Sequence, residues 1–581
     1  MKTKEIINQI EKYDVITIYR HKGPDGDAYG SQVGLKELIL TNYPNKQVYC
    51  LGETPEDYAR ICGPLDKVDD DLIKESLAIV VDVGDLERVD DERVKTAKDI
   101  IKIDHHIKTS SFGHPDWVDT KSSSACEMVV LIAKHAKWKI SINGANALYL
   151  GMTTDAARFL YCYTPRMLDC AKWLVKNGAE VERIYRTIYE DNEIDSRFYG
   201  YCRSAFTRTP YGVGYNKIYP EIARQFNLPG SGAGNVNAMA NIKGVDIWAQ
   251  FTENEDGTIR AETRSKGIPV NVVCNEFGGG GHLRAAGATL LNWDEVDIML
   301  DRLEKAAFEG KPYHQEVTDA LKIAKEASKM VLDYYNGYLD VQIKDDNSPV
   351  TIADKVADKY IRVKLSELYP DYGLLSEETH DDKSRLDKEF VWVIDPIDGT
   401  KDYIAHDDEF AINIALVRNH KVVVGVIAVP AKNTYYYAME NGGAYKEENG
   451  ILSRIQVDDR AVTNLKAITS RFHRDGLEDR VYQQFDSLIE GIVSCGSAYK
   501  MGLIAEGKAH LHMKYGDHTK EWDIAPGVIL VKEAGGVFLN SKGEEFEFNR
   551  DDVINRGGYI IMNKMNREFV NVFVKKGNQN G

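Results

Sequence analysis

The stretch IKIDHHIKTS (101–110) is an apolar, β-branched run that ends in three adjacent ionisable groups, Asp104, His105 and His106. Such groups at the end of a buried strand are costly unless a partner or a metal compensates them. The same residue types recur elsewhere. His21, Asp25 and Asp27 follow the run VITIY in RHKGPDGDAYGS, Asp82 ends LAIVVD, and Asp155 sits in GMTTDAARF. Taken singly, each reads as a turn residue or a surface group. Four separate segments that each deliver a ligand-type side chain are hard to explain that way. Imidazole and carboxylate without thiolate suit Mn²⁺ or another borderline-hard ion better than a structural zinc. A carboxylate shared by two ions would make a two-metal hydrolytic site, holding both the attacking and the leaving oxygen.

A second set lies in the C-terminal half: Asp354 in SPVTIADKVAD, Glu377 and Glu378 in LLSEET, Asp395 and Asp398 in VWVIDPIDGTKDY, and Asp523 in KEWDIAPG. These motifs carry no histidine, so Mg²⁺ is the natural guest. VWVI reads as a strand ending in the turn D-P-I-D, stiffened by Pro396, with both carboxylates and the Ile397 carbonyl facing one site. Gly399 and Thr400 open the next segment, whose free N–H groups can receive a phosphate. A third feature is the glycine run Gly278–Gly281, where backbone can come close to an anion. His282, Arg264 and Arg284 beside it offer charge-assisted bonds.

The elements that must carry these groups follow from pattern. DVITIYR (14–20), LAIVVDVG (77–84) and DIIKIDHH (99–106) read as buried strands between helices near 30–42 and 123–137. This is the alternation of an α/β domain with a mostly parallel sheet, whose ligands gather at the carboxyl ends of strands. A helical stretch at 166–200 leads to a second, smaller α/β unit ending in GGGGHLRAAGATLL, then to a Gly-Lys-Pro breaker and a new amphipathic helix. The expected domains are 1–200, 201–306 and 317–581, with a linker at 307–316.

The chain has 581 residues, too many for one ordinary core. Its formal charge of −17 argues against coating long nucleic acid, without excluding a local basic pocket for a short phosphorylated ligand. The 8 cysteines show no C-x-x-C pair and suit reduced thiols. No signal peptide is read at the amino terminus, and no stretch approaches the roughly 18 apolar residues of a membrane span. A soluble cytoplasmic protein without a membrane partner is expected, and a homo-oligomer is compatible with the sequence.

HKGPDGDAYGS, VVDVGD, IDHH and TTDAARF, in this order, resemble the motifs of the DHH phosphoesterase superfamily. RSKGIPVNVVCNEFGGGGHLRAAGA (264–288) resembles the nucleotide-binding domain of its nanoRNase/pAp phosphatase branch. The resemblance implies that His21, Asp25 and Asp82 hold one Mn²⁺, and that Asp27, Asp82, His105 and Asp155 hold a second. His106 is then free to protonate the leaving oxygen or bind the phosphate, and Asp104 orients an imidazole. Arg264, Ser265, Gly280, Gly281, His282 and Arg284 are the substrate side.

Residues 315–570 resemble the inositol monophosphatase superfamily, a layered αβαβα fold, and DGTKDY and GSAYKMGLIAEGKAHLH resemble its 3′(2′),5′-bisphosphate nucleotidase branch. This implies two or three Mg²⁺ on Glu377, Asp395, the Ile397 carbonyl, Asp398 and Asp523, with Thr400, polarised by Asp354 or Glu377, orienting the attacking water. Gly399, Ser470, Arg471, His473, Gly496, Ser497 and Lys500 would surround the nucleotide, and Lys401 is either a substrate contact or a solvated surface charge. TSRFH departs from the commoner S-R-S-H. Pro526 replaces a frequent Ala and is expected in the first turn of a helix.

The two resemblances imply a bifunctional phosphohydrolase: a Mn²⁺-dependent nuclease for short oligoribonucleotides fused to a Mg²⁺-dependent phosphatase for pAp (adenosine 3′,5′-bisphosphate) or phosphoadenosine phosphosulfate. The rivals are a linear or cyclic diadenylate phosphodiesterase fused to an inositol-phosphate or sugar-phosphate phosphatase, and a chain in which one half is an inactive pAp sensor.

Overall fold

The computed structural model describes residues 2–106, 110–159, 163–190, 192–227, 236–337, 341–343, 349–472 and 476–577. They form two compact units, Met1–Glu193 and Ile194–Gly581.

The first unit is built on a five-stranded, all-parallel sheet. Its spatial order is Gln47–Cys50, Val15–Tyr19, Leu77–Val81, Asp99–Asp104 and Asp116–Val118. Leu77–Val81 is buried at every position, as befits an inner parallel strand covered on both faces. The two flanking strands were not visible in the sequence pattern, being only four and three residues long.

Helix Gly26–Asn42 packs on helix Ile142–Asp155 through Gly26, Gly30 and Gly34, spaced four apart on one face. A Cβ at Gly30 would lie 2.3 Å from the Ala147 carbonyl, and one at Gly34 would lie 2.4 Å from Leu148. This close approach brings Asp27, at the start of one helix, towards Asp155, at the end of the other.

Among the described residues, the second unit holds three sheets of five or more strands and one two-stranded sheet. A six-stranded mixed sheet covers Thr207–Arg208 to Ala285–Leu290 and is backed by helices Val270–Glu276 and Trp293–Glu309. Beyond it, helices His314–Tyr335 and Ile352–Leu368 cover a seven-stranded sheet running from Gly373–Ser376 to Ile451–Ile455. Helices Tyr499–Ala505 and Glu521–Glu533 separate that sheet from a five-stranded one, which Leu477–Gln483 and Arg567–Gly577 close from outside. The C-terminal part is therefore the layered αβαβα arrangement.

The breaker expected over 307–316 is shorter in the structure. Helices end at Glu309 and restart at His314, and the turn between them is pinned by Lys311, whose ammonium meets Asp246 at 3.1 Å. The aromatic ring of Tyr211 lies 4.5 Å from that of Phe308 and 4.9 Å from that of Tyr445, and its hydroxyl is 2.7 Å from that of Tyr437. The six-stranded sheet and the seven-stranded one thus share an apolar seam.

Two local expectations need correction. The strand VWVI does not stop before Asp395. It runs from Phe390 to Asp398, absorbing the turn as a bulge, since its pairing with Ala411–Arg418 slips between Asp395 and Asp398. Pro526 is not in a first turn. It is the sixth residue of Glu521–Glu533, where the missing N–H leaves the Trp522 carbonyl without its helical donor. Asn413 Nδ2 supplies the replacement at 3.3 Å.

Candidate active sites

In the first unit the sheet's carboxyl edge gathers the predicted residues. Asp25 caps helix Gly26–Asn42, accepting from the Asp27 and Ala28 amides at 3.0 Å. Asp27 is fully buried and accepts from the amides of Ala125 and Cys126 at 2.6 and 2.9 Å, at the start of helix Ala125–Ala136. Asp82 follows its strand with φ of 57°, a left-handed turn that throws the carboxylate into the cluster.

His21 Nε2 lies 3.6 Å from Asp82 and 3.9 Å from Asp25. His105 Nε2 is 3.4 Å from both Asp82 and Asp155 and 3.9 Å from Asp27. Ligand atoms of His21, Asp25 and Asp82, of Asp27, His105 and Asp155, and of Asp82, His105 and His106 each lie within 4.8 Å of one another.

The electrostatics are those of crowded carboxylates. Burial, then the Asp82 charge, lifts Asp27 to about 7. Burial and Asp27 lift Asp155 to about 8. Asp82 goes the other way: burial alone would raise it, but His105 and His21 hold it at about 2. Its Oδ1 is buried without a hydrogen-bond partner. Carboxylates this close repel unless a cation sits among them, so the donor set fits divalent metal. His106 also borders the cluster, its Nδ1 lying 3.5 Å from Asp82, but that atom is closer to Asp104, at 2.9 Å, whose other oxygen is 3.3 Å from the wholly buried ammonium of Lys102.

The glycine run lies partly in the short strand Gly280–His282, paired with Ala285–Leu290. Glycine is required at Gly279 and Gly281 for packing, since a Cβ would strike the Gly287 carbonyl at 2.1 Å and the Ala285 carbonyl at 2.6 Å. At Gly280 a Cβ would meet only Asn275 Oδ1, at an ordinary contact of 3.8 Å. Gly280, Arg264 and neighbouring residues line a concavity of about 600 Å³. His282, which ends the short strand, and Arg284, in the turn after it, are exposed, and Ser265 donates its hydroxyl to the Ile268 carbonyl.

In the C-terminal part, Asp395, Asp398 and Asp523 bring ligand atoms within 4.8 Å. Burial and then the neighbouring Glu377 push Asp395 well above the usual carboxylate range. Burial and Asp398 do the same to Asp523. Burial also raises Asp398, against the opposing pull of Lys500. Three carboxyl groups, Asp395 buried and the other two partly so, plus Glu377 again fit a hard cation. Thr400 Oγ1, with one proton, lies 3.4 Å from Asp354 Oδ1 and 3.3 Å from the Ile397 carbonyl. Asp354 is itself fixed by the Thr351 amide and hydroxyl at 2.8 and 2.6 Å.

The predicted nucleotide contacts divide. Arg471, Gly496, Ser497 and Lys500 come together: Arg471 pairs with Asp407 and, at 2.6 Å, with Glu409, whose carboxylate also accepts from the Gly496 amide at 3.0 Å. Ser497 donates its hydroxyl to the Glu409 carbonyl, and the nearly buried Lys500 donates to the Ser497 carbonyl. Gly399 faces Asp402 and Ser497. Ser470 ends its strand opposite Cys495, Lys401 is exposed to solvent, and His473 lies outside the described residues.

The residues that the motifs did not single out are Lys102, Asn413, Asp402, Asp407 and Glu409. Asn413 bridges Asp398 Oδ2, at 3.3 Å, to the carbonyl that Pro526 leaves free. Asp402 is buried, with one oxygen lacking a hydrogen-bond partner, and burial and Asp407 lift it to about 7. The acid-rich run AHDDEF directly after DGTKDY was the available signal, but on pattern it reads as a solvated loop.

Comparison with known proteins gives three family matches. Residues 15–152 match the DHH family, N-terminal domain, residues 215–308 the DHHA1 domain, and residues 314–573 the inositol monophosphatase family. The bifunctional oligoribonuclease and PAP phosphatase NrnA of Bacillus subtilis is 35% identical over 309 residues, 52% of this chain and 98% of the relative. The 3′(2′),5′-bisphosphate nucleotidase CysQ of Escherichia coli K12 is 36% identical over 240 residues, 41% of this chain and 95% of the relative. Among solved structures, an exopolyphosphatase-related protein from Bacteroides fragilis is 27% identical, covering 54% of this chain and 97% of its own, with a TM-score of 0.48. The chain therefore belongs to two families at once, the DHH family through its N-terminal half and the inositol monophosphatase family through its C-terminal half.

Proposed function

We infer that the chain is a bifunctional phosphohydrolase. The N-terminal half would cut short oligoribonucleotides, pApA among them, to mononucleotides with Mn²⁺. The C-terminal half would remove the 3′-phosphate of pAp, or of phosphoadenosine phosphosulfate, with Mg²⁺. The observation that carries the reading is that each half gathers its own cluster of carboxylates around a buried one, Asp27 and Asp82 with imidazoles in the first and Asp395 without them in the second. The names of the relatives of both halves point the same way, since NrnA is named for oligoribonucleotides and PAP and CysQ for a 3′,5′-bisphosphate nucleotide. The free, buried cysteines are in keeping with a cytoplasmic place for it.

In this reading His21, Asp25 and Asp82 hold one Mn²⁺, and Asp27, Asp82, His105 and Asp155 the other. Bound there, the metals supply charge for the phosphate oxygens and a water acidic enough to attack. His106, oriented by Asp104, gives its proton to the leaving oxygen. Arg264, Ser265, Gly280, Gly281, His282 and Arg284 seat the phosphorylated end. In the C-terminal half Glu377, Asp395, the Ile397 carbonyl, Asp398 and Asp523 hold Mg²⁺. Thr400, kept in place by Asp354, orients the attacking water.

Turnover of 5′-phosphorylated diadenylate and of pAp by the parent chain, His106→Ala and Asp398→Ala, each with Mn²⁺ or Mg²⁺, tests the division of labour. The expected result is that His106→Ala loses only the dinucleotide activity and Asp398→Ala most of the pAp activity. Undiminished pAp hydrolysis by Asp398→Ala would return that duty to the N-terminal half.

The fusion itself has a rationale. pAp resembles a truncated RNA end and should compete for the first site, so a tethered phosphatase removes an inhibitor where it acts. Added pAp should then slow RNA turnover briefly in the parent chain and persistently in Asp398→Ala. Equal inhibition of the two would exclude this.

A further inference from the structure

Strand Ile259–Ser265 alternates strictly: Ile259, Ala261, Thr263 and Ser265 are buried, while Arg260, Glu262 and Arg264 emerge half-buried on the opposite face. That face lines the concavity of about 600 Å³ described above, together with Gly278, Gly279, Gly280 and Gly287. Across one strand pair, Arg264 stands opposite Ala285, Glu262 opposite Gly287 and Arg260 opposite Thr289, so nothing long rises beside the charged row on that side, while Trp248, Gln250 and Thr252 stand beside it on the other. Successive members of the row are two residues apart, about 6.7 Å along a strand. Glu262 is 12% exposed, and Arg260 reaches it at 3.1 Å.

We propose that this row reads the sugar of the substrate. Its order is cation, carboxylate, cation. A ribonucleotide with phosphates on both sides of its sugar presents the matching order: anion, hydroxyl donor, anion. Arg264 and Arg260 take the two phosphates, and Glu262 accepts the 2′-hydroxyl proton in a charge-assisted bond. On a 2′-deoxy strand the carboxylate meets no donor and still repels the phosphates flanking it. The side-chain-free floor lets the sugar lie close to the strand. Glu262 is thereby a specificity residue that favours ribo- over deoxyribonucleotides, and both pAp and the end of a short RNA satisfy it. The inference rests on the proposed nuclease activity of the N-terminal half.

The test uses the full chain carrying Asp398→Ala, so that turnover reports on the N-terminal site alone. kcat/KM is measured for pApA and its 2′-deoxy counterpart. Glu262→Gln should lower the ribo-to-deoxy ratio at least fivefold, and Glu262→Asp should restore part of it. Arg260→Gln should slow both substrates alike, leaving the ratio in place. An unchanged ratio in Glu262→Gln, in a protein whose circular dichroism matches the parent, overturns the assignment. If the Asp398→Ala chain cleaves neither dinucleotide, the nuclease reading falls and this inference with it.

Discussion

Asp104 holds His106 by two bonds at once, its Oδ1 lying 2.9 Å from the ring Nδ1 and 3.2 Å from the backbone amide. The ring is thereby held at Nδ1. Lys102, also without solvent contact, lies 3.3 Å from the other oxygen of the carboxylate, an ion pair without a hydrogen bond, and reaches the Gly84 carbonyl at 2.9 Å.

Two substitutions separate orientation from stability here. Asp104→Asn keeps the shape and loses one charged hydrogen bond, a loss of about 1.5–3 kcal/mol, so dinucleotide turnover should fall roughly tenfold or more by the same conversion. Hydrolysis of pAp by the C-terminal half should not change. Lys102→Met and Asp104→Asn each strand one buried charge and should each destabilise the first unit by about 3–5 kcal/mol, but only Asp104→Asn weakens the hold on the ring. Chemical denaturation checks the shared loss, and an equal fall in dinucleotide turnover by folded Lys102→Met would refute the contrast.

The C-terminal carboxylates make a prediction about metal. Asp395, Asp398, Asp523 and Glu377 repel one another when no cation is present. Asp395→Asn should therefore raise the melting temperature in chelator while abolishing the rise that Mg²⁺ produces. In the parent, Mg²⁺ at a hundred times its Kd should add about 2.7 kcal/mol. A variant that melts lower than the parent in chelator would contradict the account.

Glu409 joins three segments: it pairs with Arg471, receives the Gly496 amide, and its carbonyl takes the Ser497 hydroxyl. Glu409→Gln keeps the backbone contact and weakens the other two. The KM for pAp should rise about tenfold, as expected for loss of one charged bond, with a smaller effect on kcat. Steady-state kinetics would expose the opposite split, and RNA turnover serves as the internal control.

Stability should depend on pH through His512. Its ring is fully buried, donates from Nδ1 to the Ile468 carbonyl at 2.8 Å, and is held down to about 3 by burial and by Lys500. The unfolded ring titrates near 6.5, so below that pH the unfolded chain binds a proton that the folded one refuses. Folding stability should then fall by about 1.4 kcal/mol per pH unit between roughly pH 6 and 3. His512→Gln should flatten the acid side of the curve of urea midpoint against pH. An unaltered slope would mean that other groups dominate.

Chemistry-bearing residues were legible where a motif packs several into a few positions at the end of a strand, as Asp104-His105-His106 and Asp395–Asp398 do. In the first unit, parallel strands place such ends on one edge of the sheet, so local order carried into space. What stayed hidden depends on partners far along the chain. Asn413 acquires its role only because Pro526 sits 113 positions later and frees the carbonyl of Trp522, 109 residues from Asn413. Glu409 acts on Gly496, 87 residues away. The strands Gln47–Cys50 and Asp116–Val118 are too short to show a period, and the interior site of Pro526 contradicts the local rule that would put it at a helix start.

The aromatic seam around Tyr211 bears on how this protein can be dissected. A cut near residue 310, where one ancestry gives way to the other, would bare Phe308 and Tyr211 on one fragment and Tyr437 and Tyr445 on the other. Both fragments would carry a sticky, half-finished surface, and loss of function in either would say nothing about catalysis. A division near Glu193 follows the grain of the packing instead. Gene fusion has evidently been followed by welding, so the natural joint of the molecule no longer coincides with the border between its two lineages.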